Sequence, residues 1–256
     1  MRRVAIAAGS LALAATAVAG TIPEPIALPR PSFPAPAKNV TPAGPRLVLV
    51  SARPRDPSLL PRERPARPPW APRSYRGDEL QNVIRQGNRV FLLYGPDALS
   101  GRYLVRADRR TQALLDAWDF RPFAAPPRGG WFEPVTWAHE VDGTLYVSNS
   151  HPGYASRTKG RNAYISAVDL EKRRTLWRSA ALVANARAFV VTGNLIVSGY
   201  GFTREPDFLY LLDRSTGKLL DRLALPTAPV VIRLRDGLLR VRTFDHDVVA
   251  RIAGSS

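Results

Sequence analysis

Short stretches in which apolar and polar residues alternate follow one another along the second half of the chain. Three of them end in an aspartate that is followed by a turn and another apolar stretch, within residues 103–118, 164–177 and 208–221. About twenty residues before each aspartate, a glycine turn leads into a further apolar run: QGNRVFLLY, VDGTLYVSN and VTGNLIVSG. A fourth copy, RDGLLRVRTFDHDVVARI, closes the chain. Alternation of this kind is typical of β-strands, and a repeated strand unit predicts an array of similar sheets.

The pattern divides into four units of short strands. The predicted strands are 80–85, 89–94, 102–107 and 112–118; then 135–141, 144–149, 163–168 and 174–179; then 187–192, 194–199, 207–212 and 218–224; and finally 230–235, 238–243 and 248–252. Each unit takes about 44 residues, which matches the ~40–45 residues of a four-stranded propeller blade. We therefore predict an all-β fold, a small β-propeller of about four four-stranded blades, over residues 78–256.

The fourth unit lacks an outer strand, which would leave unpaired backbone groups at the edge of its sheet. The β-prone run Arg46-Leu47-Val48-Leu49-Val50 is predicted to supply that strand. Two alternatives are that this run is disordered, or that the edge pairs with another chain. The run interrupts residues 20–77, which are otherwise rich in proline and arginine and are predicted to form a semi-rigid linker without a core.

Residues 1–19 have the pattern of a secretory signal peptide. Arg2 and Arg3 form a basic start, an apolar stretch follows, and Ala17-Val18-Ala19 is a small-residue cleavage site. Cleavage is predicted after Ala19, and the alternative is an uncleaved anchor. We therefore expect a periplasmic or secreted protein. The chain has no cysteine, so its core cannot depend on disulfides.

The chain is strongly basic, with 37 Lys and Arg against 21 Asp and Glu, a formal net charge of +16. Such a field favours anionic partners: envelope polysaccharide, lipid headgroups or nucleic acid. Export argues against nucleic acid. The expected partner is therefore an anionic polysaccharide or a protein of the cell envelope.

The turn after the third aspartate resembles a known repeat. Its D-x-x-T-G-K hairpin, at Asp213, Thr216, Gly217 and Lys218, resembles the repeat of quinoprotein-like (PQQ-type) β-propellers, in which the following strand often ends in Trp. Asp169 with Trp177, and Asp108 with Thr111 and Trp118, are degraded copies. The resemblance implies a propeller over residues 78–252. The quinone cofactor does not transfer, because the family's dehydrogenases have far more blades, a metal site with paired carboxylates and often a vicinal disulfide. We expect no cofactor and a non-enzymatic branch of that family, which also includes outer-membrane assembly scaffolds.

The histidines give no catalytic pattern. His139-Glu140 begins like H-E-x-x-H, but Gly143 stands where the second histidine belongs, which excludes a zinc protease site. No catalytic or metal-binding residue is assigned, and His139 is read as a structural histidine. The alternative function is a propeller-type hydrolase or lactonase with a metal in the central channel. The inner strands offer it few side chains, namely Asn82, His139, Glu140, Arg187 and Arg233.

Three long loops are predicted at one end of the propeller, at 119–134, 149–162 and 199–207. Long loops on a rigid scaffold often carry function, and aromatic rings among cations suit sugars, anionic polymers or a protein partner. The alternative is that these aromatic residues form small satellite cores. The loops make the chain a candidate binding or assembly module that recognises an anionic polymer or an envelope protein. The candidate binding residues are Trp131, Phe132, His151, Tyr154, Arg157, Lys159, Arg161, Tyr200 and Arg204.

Overall fold

The computed structural model describes residues 20–37, 44–59, 66–97, 100–124 and 132–254. The predicted signal peptide, residues 1–19, lies outside these ranges, as does Trp131. Most of the described residues are in β-strands, which form four sheets arranged as a four-blade β-propeller. The predicted fold class is confirmed.

Blade 1 lies nearest the N-terminal segment and carries two short additional strands. Strand β1 (Ile26–Ala27) pairs in parallel with the outer strand of this blade, and β3 (Ser74–Tyr75) pairs with its first strand. The four main strands are β4 (Asp78–Gln86), β5 (Arg89–Gly95), β6 (Tyr103–Asp108) and β7 (Leu114–Asp119). A one-turn helix, α1 (Arg121–Ala124), follows them.

Blades 2 and 3 repeat this up-and-down order. Blade 2 consists of β8 (Val135–Val141), β9 (Thr144–Asn149), β10 (Tyr164–Asp169) and β11 (Arg174–Arg178). Blade 3 consists of β12 (Val190–Thr192), β13 (Leu195–Phe202), β14 (Glu205–Asp213) and β15 (Leu219–Ala224). The first strand of blade 3 is shorter than predicted.

Blade 4 combines the last three strands of the chain with a strand from the segment that precedes the blades. Strands β16 (Pro229–Arg235), β17 (Leu238–Thr243) and β18 (His246–Ala253) are followed in the sheet by β2 (Arg46–Pro54). Strand β2 pairs with β18 antiparallel along its whole length, from Ala253 opposite Arg46 to His246 opposite Pro54. The N-terminal run thus supplies the outer strand, as predicted, and the edge of β18 is covered.

One of the predicted loops is wrong. Residues 199–207 form a hairpin, in which β13 and β14 remain paired up to Phe202 opposite Glu205 and are joined by a two-residue turn. Gly199 and Gly201 both lie within strand β13. A Cβ at Gly201 would lie 1.9 Å from the Asp207 carboxylate, so glycine is required there by a close approach rather than by a turn.

The core lies between neighbouring blades. Blades 2 and 3, which have a neighbour on each side, bury apolar side chains on both faces of their sheets. One cluster joins blades 1 and 2 and includes Phe91 and Leu145; a second joins blades 2 and 3 and includes Ile165 and Ile196. A third joins blades 3 and 4, where Leu211 and Val248 are buried. The outward face of blade 1 is covered by residues of the preceding segment, including Ala71 and Trp70.

Parts of residues 20–77, predicted to be a linker, pack against the blades. Leu28 is 1% exposed and belongs to the core between blades 1 and 2. The Tyr164 hydroxyl donates to the Pro34 carbonyl at 2.9 Å, and the Tyr75 hydroxyl donates to the Pro23 carbonyl at 2.8 Å. These contacts fix the proline-rich chain on the outside of the propeller.

The D-x-x-T-G-K turn has a structural explanation. The Asp213 carboxylate accepts the backbone N–H of Thr216 at 2.8 Å, and Gly217 has φ +70°. The indole of Trp177, from blade 2, packs directly on Gly217 and donates to the Arg214 carbonyl at 3.2 Å. The motif therefore joins two neighbouring blades as well as closing a hairpin.

No helix in the described ranges is long and apolar enough to cross a membrane.

Candidate functional site

The loops 119–134 and 149–162 lie together at one end of the propeller, on the side where successive blades are connected. The side-chain amide of Asn149 donates to the Glu133 carbonyl at 3.2 Å, and the Ser150 N–H donates to the Pro134 carbonyl at 3.1 Å. We call this end, with the turn after Phe202, the loop face. The described end of the first loop thus adjoins the start of the second, while residues 125–131 lie outside the described ranges.

A buried asparagine fixes the 149–162 loop. The Asn162 side chain accepts the His151 N–H at 2.7 Å and donates to the His151 carbonyl at 3.2 Å. The His151 Nδ1 accepts the Gly153 N–H at 2.9 Å. This nitrogen therefore carries no proton, and the imidazole is neutral. Burial lowers the pKa of His151, and the nearby Arg157 charge lowers it further. His151 is therefore a buried residue that holds the loop together.

The outer part of the same loop is a cationic ridge. A short 3₁₀ turn at Ala155–Thr158 ends at Lys159, which has φ +53°. Arg157, Lys159 and Arg161 are exposed there. For the residues that the structure describes, neither Lys159 nor Arg161 has a carboxylate within ion-pair distance. The ridge therefore projects positive charge into solvent from a turn that is held at its base.

The ridge is connected to blade 3 through an aromatic and an acidic contact. The rings of Tyr154 and Phe202 are 5.2 Å apart, and Glu205 accepts the Ala155 N–H at 2.7 Å. The Tyr200 hydroxyl donates to the other oxygen of Glu205. Burial raises the pKa of Tyr200, and the hydrogen bond to Glu205 raises it further. Arg204, in the adjoining turn, is exposed and adds to the positive charge of the loop face.

A cleft of about 350 Å³ opens between blades 2 and 3 beside this contact. Its lining is mainly apolar and aromatic, with two charged side chains that are already engaged. Glu205 carries the two hydrogen bonds just described, and the Arg222 guanidinium lies 4.9 Å from the centre of the Phe208 ring. The lining includes Ala155, Leu182, Tyr200, Glu205, Tyr210 and Arg222.

Half of the described loop aromatics, three of six, are buried in the core rather than exposed on a binding surface. Phe120 and Phe123 are fully buried and pack edge to face at 5.3 Å. Tyr200 is 2% exposed, whereas Phe132 and Tyr154 are half-buried. The satellite-core reading thus holds for Phe120, Phe123 and Tyr200. The structure leaves a surface that is cationic more than aromatic.

Beneath the loop face lies a buried ion pair that the sequence did not indicate. Arg178 and Glu133 approach to 3.4 Å with side chains 0% and 1% exposed. Burial raises the pKa of Glu133 and lowers that of Arg178, while each charge opposes the shift of its partner. The guanidinium lies 4.2 Å from the ring centre of Tyr164 and 4.6 Å from that of Phe33, and it donates to the Ser32 carbonyl. Arg178 therefore joins the N-terminal segment to the root of the 119–134 loop.

Two of the inner-strand side chains named for the hydrolase alternative, Glu140 and His139, are packed or paired within the blades. Glu140 is paired with Arg89 and with Arg106, whose guanidinium contacts both carboxylate oxygens at 3.0 Å. Burial lowers the pKa of His139, whose ring lies 6.4 Å from that of Phe189. Among the described residues, no three His, Asp or Glu side chains group as a metal site would require.

Comparisons with protein-family models and with curated proteins found no match. Among solved structures, the chain is similar to the computationally designed Ika8 protein, with TM-score 0.46 and 14% identity over 68% of this chain and 45% of that one. It is also similar to the designed Ika4 protein, with TM-score 0.44 and 13% identity over 71% of this chain and 94% of that one. BamB from Moraxella catarrhalis gives TM-score 0.37 and 13% identity over 70% of this chain and 60% of that one. The propeller assignment itself rests on the pairing of this chain's own strands.

Proposed function

We propose that this chain is an exported, non-enzymatic β-propeller that binds an anionic polysaccharide of the cell envelope through the cationic ridge on its loop face. Residues 1–19 direct export, and the PQQ-type repeat supplies only the architecture. The observation that carries the proposal is the set of exposed cations on loops whose bases are held in place: Arg157, Lys159, Arg161 and Arg204.

Two features of the ridge support a polymer ligand. Its cations stand on a turn held by Asn162 and Glu205, so binding requires little ordering of the loop backbone. Guanidinium groups bind carboxylates with two parallel hydrogen bonds, which suits the repeating acidic groups of a uronate polymer. A protein partner is the competing outcome, and it would be revealed by capture from an envelope extract without polysaccharide binding.

The test uses fluorescently labelled alginate, a linear polyuronate, in equilibrium titrations. Arg157→Glu with Arg161→Glu is expected to weaken binding by at least about ten-fold, since each reversed charge converts attraction to repulsion near the polymer. The matched control is Arg109→Glu with Arg110→Glu, which makes the same charge change in the exposed 109–113 turn at the opposite end of blade 1.

The control variant should bind alginate within a few-fold of wild type, and wild-type binding should weaken as salt screens the charges beyond ~8–10 Å. Both variants should melt within a few degrees of wild type, because exposed charges contribute little to stability. Equal loss in the two double variants, or no loss in either, would show that the ridge is not the binding site.

A further inference from the structure

The outer face of blade 4 carries an array of arginines on a sheet surface. The strand registers place the same-face residues side by side: Val231 beside Arg242 and Asp247, then Arg233 beside Arg240 and Val249, then Arg235 beside Leu238 and Arg251. Strand β2 continues these rows with Arg53 opposite Asp247, Val48 opposite Arg251 and Arg46 opposite Ala253. We call this surface the arginine face; its arginines are Arg46, Arg53, Arg233, Arg235, Arg240, Arg242 and Arg251.

The arginine face differs from every other blade face in the fold. The three interfaces between blades are apolar, and the outward face of blade 1 is covered by Trp70 and Ala71. On blade 4, the face toward blade 3 buries Ile232 and Val241, whereas the opposite face exposes Arg233, Arg240 and Arg251. The alternation from buried aliphatic to exposed arginine along each strand indicates a surface suited to water and anions rather than to another blade.

The positive charge of this face is largely uncompensated. Asp247 is the one carboxylate in these rows, and it already lies 3.4 Å from Arg242 and 3.6 Å from Arg55. Arg233 stands directly opposite Arg240, an arrangement of like charges that disfavours folding by itself. In the described ranges, no carboxylate pairs with Arg233, Arg240 or Arg251. An anionic partner would relieve this repulsion, whereas a second copy of the same face would increase it.

Exposed apolar side chains at the margin of the face select among anionic partners. Val50, at the bulge of the outer edge strand β2, is 53% exposed, and Phe244, in the β17–β18 turn, is 52% exposed. A hydrated polysaccharide provides no apolar region that would bury these side chains. The headgroup region of a bilayer accommodates both arginines and apolar groups. The charges are also spread over four strands of a sheet rather than lined along a groove, which fits a planar surface.

We propose that the arginine face docks the protein on an anionic phospholipid bilayer. This surface is separate from the loop face, so the ridge would remain accessible while the protein lies on the membrane. Guanidinium groups pair with lipid phosphates, and Phe244 and Val50 enter the headgroup layer.

Sedimentation with vesicles of phosphatidylcholine containing 30% phosphatidylglycerol tests the proposal, with pure phosphatidylcholine vesicles alongside. Removing three arginines, at about five-fold in affinity each, predicts a loss on the order of 100-fold for Arg233→Gln/Arg240→Gln/Arg251→Gln. The matched control, Arg109→Gln/Arg110→Gln/Arg174→Gln, removes the same charge from exposed positions on blades 1 and 2 and should change binding only a few-fold.

Melting curves show whether the arginine-face variant remains folded; its melting temperature should equal or exceed that of wild type, because the Arg233–Arg240 repulsion is removed. The loop-face variant Arg157→Glu/Arg161→Glu should still bind the vesicles, which separates this proposal from the polysaccharide site. Vesicle binding that survives the triple substitution, equal binding to neutral vesicles, or binding to alginate with none to vesicles would each overturn it.

Discussion

Replacing Arg178 with methionine should destabilise the protein strongly, because its charged side chain is completely buried. The substitution keeps an apolar side chain among the Phe33, Tyr164 and Phe123 rings, which lie 4.2–5.3 Å from the guanidinium. It removes the positive partner of Glu133, whose side chain is 1% exposed.

The expected loss follows from this burial. Removing one partner of a fully buried pair leaves the other charge without compensation, which costs about 3–5 kcal/mol. The desolvated cation–π contacts, worth roughly 2 kcal/mol, are lost as well but are partly replaced by sulfur–aromatic contacts. We therefore expect about 3–5 kcal/mol in the free energy of unfolding, or roughly 10 °C in melting temperature for a chain of this size.

Urea unfolding followed by tryptophan fluorescence measures this loss. The control Arg174→Met, on the exposed outer strand of the same blade, should stay within about 0.5 kcal/mol of wild type. The double variant Arg178→Met/Glu133→Leu should recover most of the stability, because it removes both charges from the apolar site. An Arg178→Met protein within about 1 kcal/mol of wild type, or a double variant no more stable than the single one, would refute this reasoning.

Three further outcomes test the blade contacts. Leu47→Ala should lose about 2–5 kcal/mol of unfolding free energy in urea titrations, because Leu47 is buried between blades 3 and 4. Leu49→Ala, at an exposed position of the same strand, should lose little. Similar losses for the two variants would argue against β2 as the outer strand of blade 4. Gly217→Ala should cost more than Gly237→Ala in thermal melts: both glycines have positive φ, but only at Gly217 would a Cβ meet the indole, at 2.3 Å. Equal costs would refute the packing role of the motif. Burial raises the pKa of Asp207 to about 6, so the folded state binds this proton more tightly than the unfolded state does. Wild type should therefore lose stability as the pH rises from about 4 to about 6. Asp207→Asn should remove this loss, and melting temperatures that run parallel for the two proteins across that range would contradict the assignment.

The strands and turns could be predicted because their determinants are local. The alternation in VDGTLYVSN and the turn residues around Asp213 specify a hairpin from neighbouring positions alone, and Asp108 caps its turn through the same contact to a threonine N–H. The outer strand of blade 4 was also predictable, because the fourth unit lacked an outer strand and the β-prone run at 46–50 had no other partner.

The site was less predictable because burial is a property of the whole fold. Composition could not show that Phe120 and Tyr200 pack inward, or that Arg178 would find Glu133 across 45 residues of sequence. Residues 199–207 were predicted as a loop, whereas they form a hairpin in which the Asp207 carboxylate of the paired strand lies against Gly201. The arginine face is visible in the sequence, because arginines occupy alternate positions in two neighbouring strands, at Arg233 and Arg235 and at Arg240 and Arg242. The sequence does not show which face of that sheet remains uncovered.

Hydrogen exchange with and without alginate tests the central claim most directly, because it locates the binding site without assuming which residues form it. Slower exchange is predicted for the backbone amides of residues 154–161 and 202–204, since these form the ridge and the adjoining turn. The 109–113 and 214–218 turns, at the opposite end of the propeller, should exchange at unchanged rates. Protection confined to the blade 4 strands at 231–251, or no change anywhere under conditions where alginate binds, would contradict the assignment of the loop face as the binding surface.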